Sequence, residues 1–113
     1  MKLTLDLTFL NEISGGDQEF IHDVLSTFLE EMPKDIDQMN QAIQEQNNIM
    51  IGRVAHKTKS SLQTLGLYDL KDIAVKIEQA IKTEPKHSEA AVWAKEFVLY
   101  MNQVYPNVKA LLK

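Results

Sequence analysis

Between Ile51 and Leu65 the apolar positions recur at helical spacing: Ile51, Val54, Ala55, Thr58, Leu62 and Leu65 follow i, i+3, i+4, i+7, i+11 and i+14. That pattern predicts about four turns of helix with one buried stripe. At about 100° per residue these positions fall within roughly 60° of a common line. His56 lies about 140° from that line, in one sector with Gly52, Lys59, Ser60 and Gln63. It belongs to the outer face, among small and polar neighbours, and is not a core histidine.

The remaining apolar residues predict more helices. Leu3, Leu5 and Leu7 alternate with polar residues, but no second strand-like run follows to pair with them. They read as an extended lead-in to a short helix from Thr8 to Ser14, ended by Gly15-Gly16. Asp17 is a good N-cap with Glu19 in the first turn. The helix it starts carries Ile21, Leu25, Phe28, Met32, Ile36, Met39 and Ile43, widened by Phe20, Val24 and Leu29. A stripe that wide buries against two other helices; His22 falls beside it, and Pro33 predicts a bend. Gln44 to Asn48 is a polar connection, with Asn47 or Asn48 capping the His56 helix.

After Gly66, Leu67 opens a helix with Leu70, Ile73, Ala74, Ile77 and Ile81 inside, running to about Thr83 and stopping before Pro85. Ser88 then caps a last long helix with Ala90, Trp93, Phe97, Tyr100, Met101 and Val104 inside; Pro106 ends or kinks it, and Val108 to Leu112 can add another turn or two. Four long amphipathic segments with short connections predict an all-α fold, an antiparallel up-down four-helix bundle with a short extra N-terminal helix. It forms a single domain over 1–113, with its core between about residues 5 and 105.

Composition narrows the function classes. The 113 residues include no cysteine, which excludes disulfides, thiolate metal sites and cysteine nucleophiles. A net charge of −4 argues against nucleic acid as a partner, because phosphate binding needs a basic surface. No apolar run of about 18 residues exists, and the N-terminal stretch carries acids where a signal peptide's apolar core would lie. The expectation is a cytoplasmic protein, a monomer with no membrane or nucleic-acid partner.

The link at Gly66 makes the flanking helices antiparallel neighbours. His56 is ten residues before Gly66 and Glu78 twelve after it, so at about 1.5 Å rise per residue they are offset by only about 3 Å. Glu78 sits about 80° from the centre of its own stripe, where a side chain can reach a neighbouring helix. A carboxylate accepting from Nδ1–H would fix the imidazole tautomer and leave the Nε2 lone pair facing solvent. Lys59, one turn along, could meet an anionic group at that nitrogen, with Lys57 and Lys82 adding diffuse positive charge. Gly52 and Ser60 flank His56 with little bulk, leaving room for in-line transfer. The chain has no P-loop, no Gly-rich nucleotide loop and no acidic trio for Mg²⁺. The chain thus has no nucleotide-binding element of its own that could charge His56.

His56-Lys57-Thr58-Lys59-Ser60-Ser61 followed by Leu65-Gly66 resembles the signature of histidine-containing phosphotransfer (HPt) domains, roughly H-x-L-K-G-S/A with an apolar residue and Gly further on. Two positions depart from it: Thr58 stands where Leu is usual and Ser60 where Gly is usual. Thr58 faces the stripe and can bury its methyl, whereas Ser60 adds a side chain where a partner backbone comes close.

The resemblance implies a phosphorelay carrier: His56 accepts a phosphoryl group from a response-regulator receiver domain and passes it on. It implies Gln or Glu, here Glu78, on the ring nitrogen that is not phosphorylated, and a short N-terminal helix covering the bundle near the histidine. The partners implied are receiver domains or a hybrid sensor histidine kinase. The receiver brings its own aspartate, Mg²⁺ and lysine, so the domain needs no cofactor and has no kinase or phosphatase activity of its own. Ile49, Gly52, Lys57, Ser60, Gln63 and Lys82 are candidates for docking, although Ile49 is equally placed to pack at a helix N-terminus.

Two other readings compete. One is a non-phosphorylated adaptor built on the same bundle. The other is a metal-assisted enzyme using His56 and Glu78, for which no third ligand stands at helical spacing. His87 reads as exposed, and Trp93, Phe97 and Tyr100 read as core rather than a ligand cradle.

Overall fold

A computed structural model describes residues 3–112. Among these residues there are five helices and no strand: α1 Thr8–Ser14, α2 Gln18–Gln44, α3 Asn48–Thr64, α4 Tyr68–Thr83 and α5 Ala90–Ala110. Residues 1, 2 and 113 of the expected single domain lie outside the described residues.

The helix ends follow from local chemistry. The Asp17 carboxylate accepts from the amides of Glu19 and Phe20, and the Asn47 side chain accepts from Met50. At the end of α3, Leu67 donates its amide to the Leu62 carbonyl while Gly66 takes a φ of 70°, the left-handed conformation that a side chain resists. Gly66 is needed for a second reason. The lead-in crosses the link there, with the Asp6 amide donating to the Leu65 carbonyl at 3.0 Å. A Cβ on Gly66 would stand 2.5 Å from the Asp6 Cβ and 2.7 Å from its Cα. Leu3, Leu5 and Leu7 pack their partly buried side chains against the core along this extended segment.

Packing runs in chain order: α3 lies against α2 and α4, α5 lies against α4 and α2, and α1 rests on α2. Asn48, at the start of α3, donates to the carbonyls of Pro85 and His87 just past the end of α4, so α3 and α4 run in opposite directions. The molecule is elongated, 44 × 22 × 21 Å, and its core includes Leu10, Met32, Ile51, Leu62, Ile77 and Phe97.

Several local expectations shift. Of the outcomes left open at Pro106, the helix does not end there: α5 continues to Ala110, and the carbonyl freed by the proline belongs to exposed Asn102, which water can serve. Pro33 likewise stands at an exposed position within α2. Ser88 does not cap α5. Glu89 is the N-cap residue, and its amide donates to His87 Nδ1 at 3.1 Å. The buried face of α5 is Ala90, Ala94, Phe97, Met101, Val104 and Val108, which leaves Trp93 and Tyr100 half-buried. On α2, Asp35 and Ala42 are buried while Ile36 and Ile43 are only partly so, and Phe20 is exposed.

Candidate functional site

Helix α3 buries Ile51, Val54, Ala55, Thr58 and Leu62, which turns His56 to the opposite face. Thr58 occupies its buried position without leaving a polar atom unpaired, since Oγ1 bonds back to the carbonyls of Val54 at 3.0 Å and Ala55 at 3.1 Å. The His56 side chain is 69% exposed, whereas the Glu78 side chain facing it from α4 is only 16% exposed. Glu78 Oε2 is hydrogen-bonded to His56 Nδ1, and Oε1 accepts from Lys59 Nζ at 2.8 Å. Both carboxylate oxygens are thus engaged, one by the imidazole and one by the ammonium a turn further along. Among the described residues no hydrogen bond engages His56 Nε2.

Electrostatics agree with this arrangement. Burial pushes the Glu78 carboxyl up, but the hydrogen bonds from Lys59 and His56 outweigh it and hold the group below its ordinary value. Glu78 is therefore an anion at neutral pH.

An open hollow of about 660 Å³ lies beside the imidazole, walled by Ile49, Gly52, Arg53, Ile81, Lys82 and Pro85. Ile49 is 60% exposed, so its side chain is not spent on packing. A Cβ at Gly52 would sit 3.5 Å from the Ile81 side chain, an ordinary contact, so the glycine keeps the hollow open rather than avoiding a clash. Ser60 and Gln63 are exposed on the same helix.

Lys57 is turned elsewhere. One residue along a helix is about 100° of rotation, and its Nζ lies 2.8 Å from Asp35 and 3.6 Å from Glu31 on α2. The hydrogen bond with Asp35 raises the Lys57 ammonium above its ordinary value against the opposing effect of burial. Its charge is compensated there instead of lying diffusely around His56.

Sequence reasoning missed Arg53, Ile81 and Pro85 as walls of the hollow, although Arg53 is three residues before His56 on the same helix and was open to the same angular argument. It also missed a second groove, about 460 Å³, between α2 and α3, where Phe20, Val24, Phe28 and Leu65 line an apolar floor beside Glu31 and Asp35. Trp93 is half-buried against the core, with Lys76 Nζ 4.2 Å from its ring centroid and the His87 ring at 5.1 Å. Among the described residues no three His, Asp or Glu side chains gather where they could hold a metal ion, and no helix is long and apolar enough to cross a membrane.

A helical domain that presents an exposed histidine braced by a carboxylate from the next helix defines a class that comparison with known protein families makes specific. Residues 23–109 match the Hpt domain, and the chain belongs to that family. Hpt domains are phosphoryl carriers of two-component signalling and interact with receiver domains and kinases. No curated protein and no solved structure matches the chain.

Proposed function

We propose that this domain relays phosphoryl groups through His56, which accepts from an aspartyl-phosphate receiver domain and donates to another. The observation that carries the reading is the state of the imidazole: 69% exposed, tied through Nδ1 to Glu78 and, among the described residues, unbonded at Nε2. With the proton on Nδ1 and donated to Glu78, the Nε2 lone pair is the nucleophile. The Nε2–P bond forms as the P–O bond to the receiver's aspartate breaks, and the bonding pair leaves with the carboxylate. Lys59 would exchange Glu78 Oε1 for a phosphoryl oxygen, replacing one anionic partner by another.

The receiver supplies the aspartate, Mg²⁺ and lysine, so the domain needs no cofactor of its own and has no kinase or phosphatase activity. Docking falls on the face of Ile49, Gly52, Ser60, Gln63 and Lys82, with Arg53 at its edge and Lys57 contributing its stem. In this reading α2 to α5 form an antiparallel up-down four-helix bundle, α1 is the short extra helix, and the protein works as a cytoplasmic monomer.

The test is incubation with a phosphorylated receiver domain and Mg²⁺, followed by assay of acid-labile phosphate. Wild type takes up label and His56→Gln does not, while the variant's helicity and melting temperature stay close to wild type because the side chain is at the surface. Glu78→Ala slows transfer without eliminating it. Label on His56→Gln would refute the assignment of His56, and no label from several receivers would favour a docking adaptor instead.

A further inference from the structure

The bond between His56 Nδ1 and Glu78 has a consequence after transfer as well as before it, on the reading that Nε2 carries the phosphoryl group. Once the Nε2 lone pair is spent in an N–P bond, the fate of the Nδ1 proton decides how readily that bond breaks. If the proton stays, the ring is a cation and leaves phosphorus as neutral imidazole. If it is lost, the leaving group is an imidazolate anion, a far poorer one, and the phosphohistidine is inert. We propose that Glu78 keeps the Nδ1 proton on phosphorylated His56, holding the phosphohistidine in its transferable form through the neutral pH range.

The charges around the ring single out Glu78. From α4 the imidazole faces Glu78 and Lys82, and on its own helix the nearby charged groups are Arg53 and Lys59. Arg53 and Lys82 oppose a cationic ring, and Lys59 is bonded to Glu78 Oε1. Among the described residues, Glu78 is the only anionic side chain in contact with the ring. At 16% exposure its charge is only weakly screened by solvent.

The step balances without a free proton. On loading, N–P forms, P–O breaks, and the proton stays on Nδ1. On unloading, N–P breaks, its electron pair returns to Nε2, and the ring is again neutral with its proton on Nδ1. Release from the loaded ring is then independent of pH wherever Nδ1 keeps its proton, whereas loading also requires that Nε2 of free His56 be unprotonated. Glu78 is a positioning residue in this scheme, acting through His56.

The experiment phosphorylates wild type and Glu78→Gln with phosphoramidate, a small phosphoryl donor that needs no partner. The Nδ1 proton of the phosphorylated ring is titrated by ¹⁵N NMR, and transfer to a receiver domain is timed across the same pH range. Glutamine keeps the hydrogen-bond acceptor and removes the charge, so a role in orientation alone leaves both curves where they were. The expected result is a wild-type rate that stays flat on the alkaline side of neutrality, while Glu78→Gln loses about tenfold for each unit its ring titrates earlier. Superimposable titrations for the two proteins would overturn the proposal while leaving His56 as the acceptor. The NMR titration decides the proposal without a receiver. Failure of loaded wild type to donate at any pH would count against the relay reading, and failure of phosphoramidate to load His56 would overturn both.

Discussion

Replacing Gly66 by alanine tests how firmly the link between α3 and α4 is set, and that link puts Glu78 opposite His56. Two separate effects add at this position. At a φ of 70° a side chain experiences left-handed strain, about 1–2 kcal/mol. The new Cβ would also meet the Asp6 backbone, 2.7 Å from its Cα, which is a contact no rotamer can relieve. The lead-in must then move, losing the bond from the Asp6 amide to the Leu65 carbonyl, about 0.5–1.5 kcal/mol net. Part of the burial of Leu5 and Leu7 is lost as well. Together these amount to about 2–4 kcal/mol, or roughly 10–25 °C in melting temperature for a domain of this size.

The assay is thermal unfolding followed by circular dichroism, run on Gly66→Ala in the full chain and in a chain lacking residues 1–7, each against its own glycine parent. In the shortened chain only the conformational part, about 1–2 kcal/mol, should remain. Equal losses in both backgrounds would refute the contact with Asp6 as a source of the cost and leave backbone strain as the whole effect.

Three further outcomes are expected. Lys57→Met strands the buried Asp35 carboxylate, but Lys57 is itself half exposed, so the loss in urea unfolding should be about 1–2 kcal/mol rather than the larger penalty of a fully buried pair; no loss would mean that Asp35 finds another partner. Because Glu78 is held below its ordinary value of 4.5, the unfolded chain binds the extra proton first, so the stability it contributes is present above that value and drains away as pH falls through the folded one. The melting temperature of wild type should therefore fall more steeply than that of Glu78→Gln on acidification below pH 4.5, and parallel curves would contradict the bonds to Lys59 and His56. Gly52→Ala should stabilise the protein by up to about 1 kcal/mol through helix propensity, whereas Gly52→Leu should keep the fold and slow phosphoryl uptake by about tenfold as it fills the hollow; uptake unchanged by leucine would move docking away from this face.

Where the sequence was legible, the relevant physics was local. Gly15-Gly16 stops α1 at Ser14, Asp17 and Asn47 accept the amides of the turns they open, and the stripe of α3 is buried as its spacing requires. The meeting of His56 with Glu78 was also legible, because a tight link and a fixed rise per residue convert a residue count into a height. What could not be read is where long side chains end and which segments cross. Lys57 and Lys59 are two residues apart and both were expected near His56, yet one ammonium reaches Asp35 on α2 and the other Glu78 on α4. Asp35 is buried on α2, and its burial is tolerable because the Lys57 ammonium reaches it from another helix.

The same limit applies on α5 and at Gly66. Trp93 lies on the apolar side of the periodicity, but its ring spans the boundary between core and solvent, where Lys76 and His87 can stack on it. Gly66 was legible as a helix stop, while its second task, clearing a path for the backbone at Asp6, depends on a segment sixty residues earlier in the chain. The link is therefore constrained by its own backbone angle and by the lead-in lying across it. The separation between His56 and Glu78 is fixed through both, and a carboxylate that must meet a proton on a particular nitrogen depends on that fixed separation.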